Sequence, residues 1–241
     1  MKFKAIAVMA VGTALSLGLA GPALASPASP AAKPPPQVTG TRLQSALLSA
    51  SAFGSGFQVA DHLNTGGKLL STKAVIKPSS LSCSTFETFI FIGGFGNTAG
   101  AVDGVDNPDP AFADYPSLVL ADDQAVLQFK TAQAAASFYN QAYTRYKRCS
   151  AFTETDPTID LSLELTTQSL SSTTINKNKA FQLIQYVDIA SLPVANFYQN
   201  TAFVLSGTNV YTIDDVNGTN DPISASLLGK LIKRVQALYR H

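Results

Sequence analysis

The chain has 241 residues, of which 46% are hydrophobic and 14% are charged. This balance excludes an intrinsically disordered chain and a long coiled coil, because both need many more charged residues. With 17 basic and 16 acidic residues, the formal net charge is +1, which does not fit the basic footprint of a nucleic-acid-binding protein. Two cysteines and two histidines are too few for zinc modules or for sites built on several histidines.

Residues 1–25 have the pattern of a secretory signal peptide. Two lysines near the start precede an apolar segment, which ends at the small residues Ala23-Leu24-Ala25. We expect cleavage after Ala25, which leaves 15 basic and 16 acidic residues and a net charge of −1. The apolar segment is short for a membrane span, and Pro22 stands where a lipoprotein would carry its lipidated cysteine. The pattern predicts a secreted chain, extracellular or associated with the cell envelope, without stable membrane insertion.

Residues 26–40 form a segment rich in proline and alanine. Such a segment lacks the apolar side chains that would offset the entropy of ordering it, so we interpret it as an extended linker. No comparable break, internal repeat or low-complexity block follows it. We therefore predict a single domain over residues 41–241.

Helical spacing and strand alternation predict the elements of this domain in order. A short helix is expected from Leu43, with its apolar face continuing to Phe53, and a second one after Cys83. Alternation then predicts a strand at 125–129, followed by the best internal helix, 132–147, which Thr131 caps.

The second half of the domain has mainly strand periodicity. Strands are predicted from residue 159 and at 181–187, 197–205 and 210–216, with a hairpin turn at 206–209. A C-terminal helix follows, with Asp221 as its N-cap and Pro222 at its first position. Short turns join antiparallel strands, so the pattern is that of an α+β protein and not of alternating βαβ units.

Cys83 and Cys149 are the two cysteines of the chain. An even number of cysteines in an exported protein favours a structural disulfide, and the close C-x-x-C spacing of redox-active pairs is absent. We therefore predict a Cys83–Cys149 bond between the start of the second helix and the end of helix 132–147.

Recognised catalytic and metal-binding motifs are missing. The sequence has neither G-x-S-x-G nor S-x-x-K. The glycines of residues 93–100 lack the ending of a phosphate-binding loop, and the acidic segments 103–109 and 214–221 lack the spacing of a calcium loop. We predict no catalytic residue, no metal site and no cofactor.

The order of cysteines, helices and strands resembles the PknH-like extracellular sensor domain of actinobacteria. The matching segments are Leu47-Leu48-Ser49-Ala50, Cys83, Gln124-Ala125-Val126-Leu127-Gln128-Phe129, Thr131-Ala132-Gln133-Ala134-Ala135, Tyr146-Lys147-Arg148-Cys149 and Val210-Tyr211-Thr212-Ile213. The resemblance implies a twisted antiparallel sheet with flanking helices and a cleft for an unidentified ligand. The sequence carries no kinase portion, and it has one cysteine pair where some relatives carry two.

These observations favour a secreted, non-enzymatic, ligand-binding domain of sensor type. If Phe129, Leu183 and Ile213 point into the core, strand alternation turns their neighbours toward the opposite face. The candidate cleft residues are accordingly Gln128, Gln182, Tyr186 and Thr212. The expected partner is a small molecule or an envelope component, with no nucleic acid, and the protein is expected to be a monomer.

Two alternatives come from other functional classes. A secreted hydrolase would need two carboxylates that converge in a concave site, and the available acids are Asp103, Asp106, Glu164, Asp188 and Asp214. An envelope protein that binds other proteins would carry an exposed apolar patch.

Overall fold

The structure, a computed structural model, describes residues 36–59, 76–90, 93–107, 120–156, 161–189, 197–217 and 219–240. The predicted signal peptide and residues 26–35 of the predicted linker lie outside these residues. Pro34–His241 form one compact unit. In the last part of the predicted linker, the backbone N–H of Val38 donates to Oε1 of Gln128 at 3.0 Å, and the Val38 side chain is buried.

The described residues contain four α-helices and eight strands. The helices are α1 Gly40–Ala46, α2 Cys83–Ile90, α3 Ala132–Arg148 and α4 Ala225–Ala237, with short 3₁₀ helices at Ala50–Ala52 and Pro78–Ser80. The strands are β1 Gln58–Val59, β2 Ala99–Asn107, β3 Leu120–Gln128, β4 Ala151–Asp156, β5 Leu161–Ile175, β6 Asn178–Ile189, β7 Phe197–Ser206 and β8 Asn209–Asn217.

All eight described strands join one sheet in the order β1-β2-β3-β8-β7-β6-β5-β4. Every neighbouring pair is antiparallel. The prediction of an α+β protein, with an antiparallel sheet and flanking helices, is confirmed. Helices pack on both faces of the sheet.

One face of the sheet packs against α1 and α4, and we call it the α4 face. Leu228, Leu231 and Val235 recur along α4 at helical spacing and lie buried with Leu43 of α1. Strand side chains complete this core, namely Ala101, Val126, Ala180, Ala202, Val204, Tyr211 and Ile213. Since burial of one large apolar side chain contributes about 2 kcal/mol, this core holds the two terminal helices on the sheet.

The opposite face packs against α2 and α3, and we call it the α3 face. Thr131 accepts a hydrogen bond from the backbone N–H of Ala134 and so caps α3 as predicted. Aromatic rings dominate this core, with Phe181 and Phe203 stacked at 4.6 Å between ring centroids. The buried aromatic residues are Phe86, Phe95, Phe129, Phe138, Tyr139, Tyr146, Phe181 and Phe203.

Cys83 and Cys149 form the predicted disulfide, with their Cα atoms 5.7 Å apart. The bond joins the first residue of α2 to the C-cap of α3. On the loop-entropy model, closing a loop of 66 residues stabilises the fold by about 4 kcal/mol.

Two helix boundaries differ from those predicted. The first helix begins earlier, at Gly40, and ends at Ala46, because the backbone of Leu48 is bonded to the side chain of Gln124 and is not available to a helix. The C-terminal helix is capped by Ser224 and not by Asp221. Residues before it stay extended because Gln182 donates to the carbonyl of Ile223 at 2.9 Å.

The sequence reasoning missed β1, β2 and β4, and it gave no end for the strand that became β5. Strand β2 carries Asp103, Gly104 and Asp106, which are typical turn residues, although Val102 and Val105 on it are fully buried. The outer half of β5 is a serine- and threonine-rich strand without apolar alternation, held by its ladder with β6. Pairing with a neighbour, which no local pattern reveals, fixes these segments.

Candidate functional site

A band of polar side chains crosses the α3 face between two apolar clusters. Along β6, Leu183 belongs to the core under α3, and Val187 belongs to a separate cluster with Leu165, Ile189 and Phe197. Gln185 lies between them on the same face, since alternate residues of a strand share a face. The strand register continues this row into neighbouring strands. We call it the polar band, and it consists of Asp123, Gln185, Gln199, Thr201, Thr212 and Asp214.

The register brings the members of the polar band together from four strands. Asp123 of β3 is paired with Asp214 of β8, and Asp214 is paired with Thr201 of β7. Gln199 of β7 is paired with Gln185 of β6. Directly paired residues in an antiparallel ladder have Cβ atoms about 5 Å apart, so their side chains are in reach of one another.

Asp214 is the best-anchored acid of the polar band. Its side chain is 5% exposed. Thr201 Oγ1 donates to Oδ1 at 2.6 Å, and Gln199 Nε2 donates to Oδ2 at 2.8 Å. Burial raises the pKa of Asp214 to about 7, although the two hydrogen bonds lower it, and the charges of Asp215 and Glu154 raise it further. This carboxyl group can therefore exchange a proton near neutral pH.

Asp123 has no comparable set of donors. Its Oδ1 atom is buried without a hydrogen-bond partner. Burial raises the pKa of Asp123 well above its ordinary value, and the negative charges of Asp214, Asp106 and Asp103 add to this shift. The polar band thus holds a second carboxyl group that favours its neutral, protonated form.

Gln185 is fully buried, and neither its Oε1 nor its Nε2 has a hydrogen-bond partner. Each buried polar group without a partner costs about 1–3 kcal/mol. Gln124 on β3 shows the usual solution, because it is equally buried but exchanges two hydrogen bonds of 2.8 Å with the backbone of Leu48. Several described side chains have one buried polar atom without a hydrogen-bond partner, but only Gln185 among them has two.

The polar band offers donors and acceptors but no metal-binding set. Two amides, two hydroxyl groups and two protonatable carboxyl groups can form hydrogen bonds with a polar molecule. Among the described residues, no group of three or more His, Cys, Asp or Glu is placed to hold a metal ion. The chemistry of the polar band is accordingly that of hydrogen bonding and proton exchange.

The predicted cleft residues Gln128 and Gln182 both lie on the α4 face and serve the fold. Gln128 is fully buried, and its Nε2 donates to the hydroxyl of Tyr239 at 2.7 Å. Together with its bond to Val38, this contact ties both ends of the domain to the sheet. Gln182 is half-buried and bonded to the backbone of Ile223.

Tyr186 and Thr212, the other two predicted cleft residues, lie on opposite faces of the sheet. Tyr186 is half-buried beside Tyr198, with the ring centroids 5.6 Å apart. Thr212 is buried on the α3 face and belongs to the polar band. The four side chains therefore do not line one common cleft, and ligand binding by them stays a prediction.

Three of the acids named for the hydrolase alternative lie near Asp123, because the charges of Asp214, Asp106 and Asp103 all raise its pKa. Of these three, Asp214 belongs to the polar band. Asp188 and Glu164 are exposed. The sequence reasoning missed Asp123, Gln185, Gln199 and Thr201. The available signal was a polar residue in the apolar phase of a strand, as in Phe181-x-Leu183-x-Gln185-x-Val187.

The fold is similar to a solved structure, the crystal structure of the extracellular domain of PknH from Mycobacterium tuberculosis. The TM-score is 0.55 at 17% sequence identity, and the match covers 85% of this chain and 98% of that chain. The chain thus has a fold like that of the PknH extracellular domain, as the resemblance in the sequence implied. No family model matches the sequence, and no curated protein matches it either.

No helix among the described residues combines the length and the hydropathy needed to cross a bilayer.

Proposed function

We propose that this protein is a secreted, non-enzymatic domain of sensor type that binds a polar small molecule or envelope component at the polar band. The observation that carries the proposal is Gln185, whose amide is fully buried with no partner for either polar atom. A buried polar group without a partner lowers the stability of the fold, and such groups are found preferentially at functional sites. A ligand that bonds to the amide would remove the cost on binding.

The neighbours of Gln185 suit the same role. The unpartnered Oδ1 of Asp123 offers a further hydrogen-bonding position on the same face. The apolar clusters on both sides of the polar band provide walls from which water is excluded. Ligand sites generally combine an apolar surround with a few placed polar groups, and this is the composition of the α3 face around Gln185.

Binding is favoured over hydrolysis by the state of Asp214. Both of its carboxylate oxygens accept hydrogen bonds, from Thr201 and Gln199, and the side chain is 5% exposed. A nucleophile or general base needs a lone pair directed at the substrate or at a water molecule. Each oxygen of Asp214 is directed at a protein donor and the side chain is almost inaccessible, which suits a role in positioning the polar band better than an attack on a substrate.

The extracellular location is supported by the signal-peptide pattern of residues 1–25 and by the fold. The similar solved domain is extracellular according to its description. A sensor-type domain outside the cell would meet small molecules and envelope components, which is the partner class predicted from the sequence.

The test is a nuclear magnetic resonance titration of the ¹⁵N-labelled mature protein. The probe is the low-molecular-mass fraction of a bacterial cell-envelope extract, subdivided by chromatography. Binding at the polar band predicts shifts of the side-chain amide signals of Gln185 and Gln199 with at least one subfraction. The same subfraction should leave the Gln185→Met variant unshifted at Gln199.

Gln168→Met is the matched control, because Gln168 is an exposed glutamine of β5. This variant should respond as the wild type does. The proposal fails if folded wild-type protein responds to no subfraction at these signals, or if Gln185→Met and Gln168→Met respond alike.

A further inference from the structure

A polar groove lies on the side of α3 that faces the 3₁₀ helix Pro78–Ser80. Its volume is about 340 Å³, at the lower end of the range of small-molecule sites. It shares no residue with the polar band. The lining is formed by Ser79 and by residues of α3 that include Asn140, Gln141, Thr144, Arg145 and Arg148.

The groove is rich in cationic and hydrogen-bonding groups. Arg145 and Arg148 are one turn apart on α3, so their guanidinium groups belong to the same side of the helix. Lys179 adds a third positive charge at the rim, because its Nζ lies 3.3 Å from Oδ1 of Asn140. None of the described residues that line the groove is acidic. The groove therefore attracts anions.

Arg145 has an unused donor. One of its terminal nitrogens, Nη2, donates to the carbonyl of Leu81, next to the 3₁₀ helix. Its Nε atom is buried and has no hydrogen-bond partner. A guanidinium group can make two parallel hydrogen bonds to a phosphate or a carboxylate, and an unpaired buried donor costs free energy. Arg148, one turn further along α3, is exposed in the groove and offers the same pair of donors to an anion.

The two walls of the groove are fixed to each other. The Arg145–Leu81 hydrogen bond joins α3 to the segment that follows Ser79. The disulfide Cys83–Cys149 joins the same two segments a few residues further on. Fixed walls lower the entropy cost of binding, because the site does not have to be ordered by its ligand.

We propose that this groove binds a phosphate ester of a polyhydroxyl compound, either as a free molecule or as the headgroup of a phospholipid. The arginines and Lys179 match the charge of the phosphate. The hydroxyl and amide groups of Ser79, Gln141 and Thr144 match hydroxyl groups on the attached polyol. The ligand extends beyond phosphate alone because hydrogen-bonding side chains continue along α3 from Arg148 back to Ser137.

The experiment uses the mature, disulfide-bonded protein and isothermal titration calorimetry. The probes are inositol 1-phosphate and unphosphorylated inositol. A second arm measures co-sedimentation with vesicles of phosphatidylcholine, with and without phosphatidylinositol. We expect a Kd of about 1 mM or lower for the phosphate ester and no binding of inositol.

Arg148→Gln is the main variant, because Arg148 is exposed and its loss leaves the fold intact. It should weaken binding about tenfold or more, as expected for a lost charged hydrogen bond. Arg240→Gln removes an exposed arginine outside the groove and should bind as the wild type does. Arg145→Gln should weaken binding as well, with the disulfide intact as a check on the fold.

The two arms separate the sources of the ligand. Binding of free inositol 1-phosphate that depends on Arg148 supports a soluble ligand. Binding confined to phosphatidylinositol vesicles, again dependent on Arg148, supports a headgroup. The proposal is overturned if neither probe binds, if inositol binds equally well, or if Arg148→Gln and Arg240→Gln give the same affinity. Gln185→Met should not alter this affinity, so the two proposed sites stand or fall separately.

Discussion

Asp123 of β3 and Asp214 of β8 are direct partners in the sheet register, and on the α3 face Asp214 is buried and Asp123 is half-buried. Two like charges on paired positions of a ladder repel each other. Burial acts in the same direction, because it penalises the charged form of each acid. The pair therefore takes up and releases a proton inside the sheet, so the charge of the polar band depends on the pH.

The first prediction is that stability falls as the pH rises from about 4 to 7. Burial raises the pKa of Asp214 to about 7 in the folded protein from the ordinary 3.8. In this interval the folded state holds a proton that the unfolded chain releases, so the free energy of unfolding decreases with rising pH. The contribution of Asp214 is on the order of 4 kcal/mol, and the raised pKa of Asp123 acts in the same direction. Urea unfolding at a series of pH values measures it.

Asp214→Asn isolates this effect. The asparagine can still accept from Thr201, and Gln199 can turn its amide to present an oxygen. The variant should show a flatter pH dependence and greater stability than the wild type at pH values above 7. Asp188→Asn, which changes an exposed acid, is the control. Equal pH slopes for the wild type and Asp214→Asn would contradict the assigned role of Asp214.

The second prediction concerns the disulfide. Replacing both Cys83 and Cys149 by serine should lower the free energy of unfolding by about 4 kcal/mol, because the unfolded chain regains the freedom of a 66-residue loop. Chemical denaturation of the two proteins gives this difference. In the oxidised wild type, an alkylating reagent should label neither sulfur under native or denaturing conditions. Labelling of both sulfurs without prior reduction would show that the bond is absent.

The sequence predicted those helices and turns whose local residues are enough to define them. Helix α3 has an N-cap at Thr131, apolar residues at helical spacing and basic residues in its last turn, so local signals agree along its whole length. The hairpin between β7 and β8 has Gly207 at a φ of +59°, a conformation that glycine adopts without strain. Strand β2 was missed because its acidic and glycine residues suit turns, while pairing with β3 makes them a strand.

The candidate site was harder to predict than the fold. Strand alternation did not show which residues share a face, because Leu183 and Ile213, both expected in one core, lie on opposite faces of the sheet. Their neighbours Gln182 and Thr212 are separated in the same way. Since helices cover both faces of the sheet, Gln128 and Gln182 serve as structural ties. Gln185 takes an apolar position in the alternation of its strand. The other members of the polar band come from three other strands. That juxtaposition depends on the strand order, which the sequence does not reveal.

The third prediction concerns export. Cleavage after Ala25 should give a mature protein that begins at Ser26, because the small residues at 23 and 25 suit a signal peptidase. Expression in a secreting bacterial host, followed by N-terminal sequencing of the exported protein, tests the site. Ala25→Leu should impair cleavage and leave a longer chain. An exported wild-type protein that retains residues 1–25 would contradict the assignment of a signal peptide.

The fourth prediction contrasts Gln185 with Gln124, two fully buried glutamines of the same sheet. Methionine has a similar length and no strong hydrogen-bonding group, so it tests the amide with little change in packing. Gln185→Met should raise the free energy of unfolding by about 1–3 kcal/mol, because it removes polar atoms that have no partner. The stabilised variant should at the same time lose the binding response of the polar band.

Gln124→Met should have the opposite effect on stability. It leaves the N–H and the carbonyl of Leu48 without their partners, so the free energy of unfolding should fall by about 2 kcal/mol or more. Urea unfolding of both variants beside the wild type measures the two changes under one condition. Destabilisation by both substitutions would mean that Gln185 contributes to the fold as Gln124 does. If Gln185→Met stabilises the protein and Gln124→Met does not, the amide of Gln185 lowers the stability of the free protein. This is the property that the proposed ligand site requires.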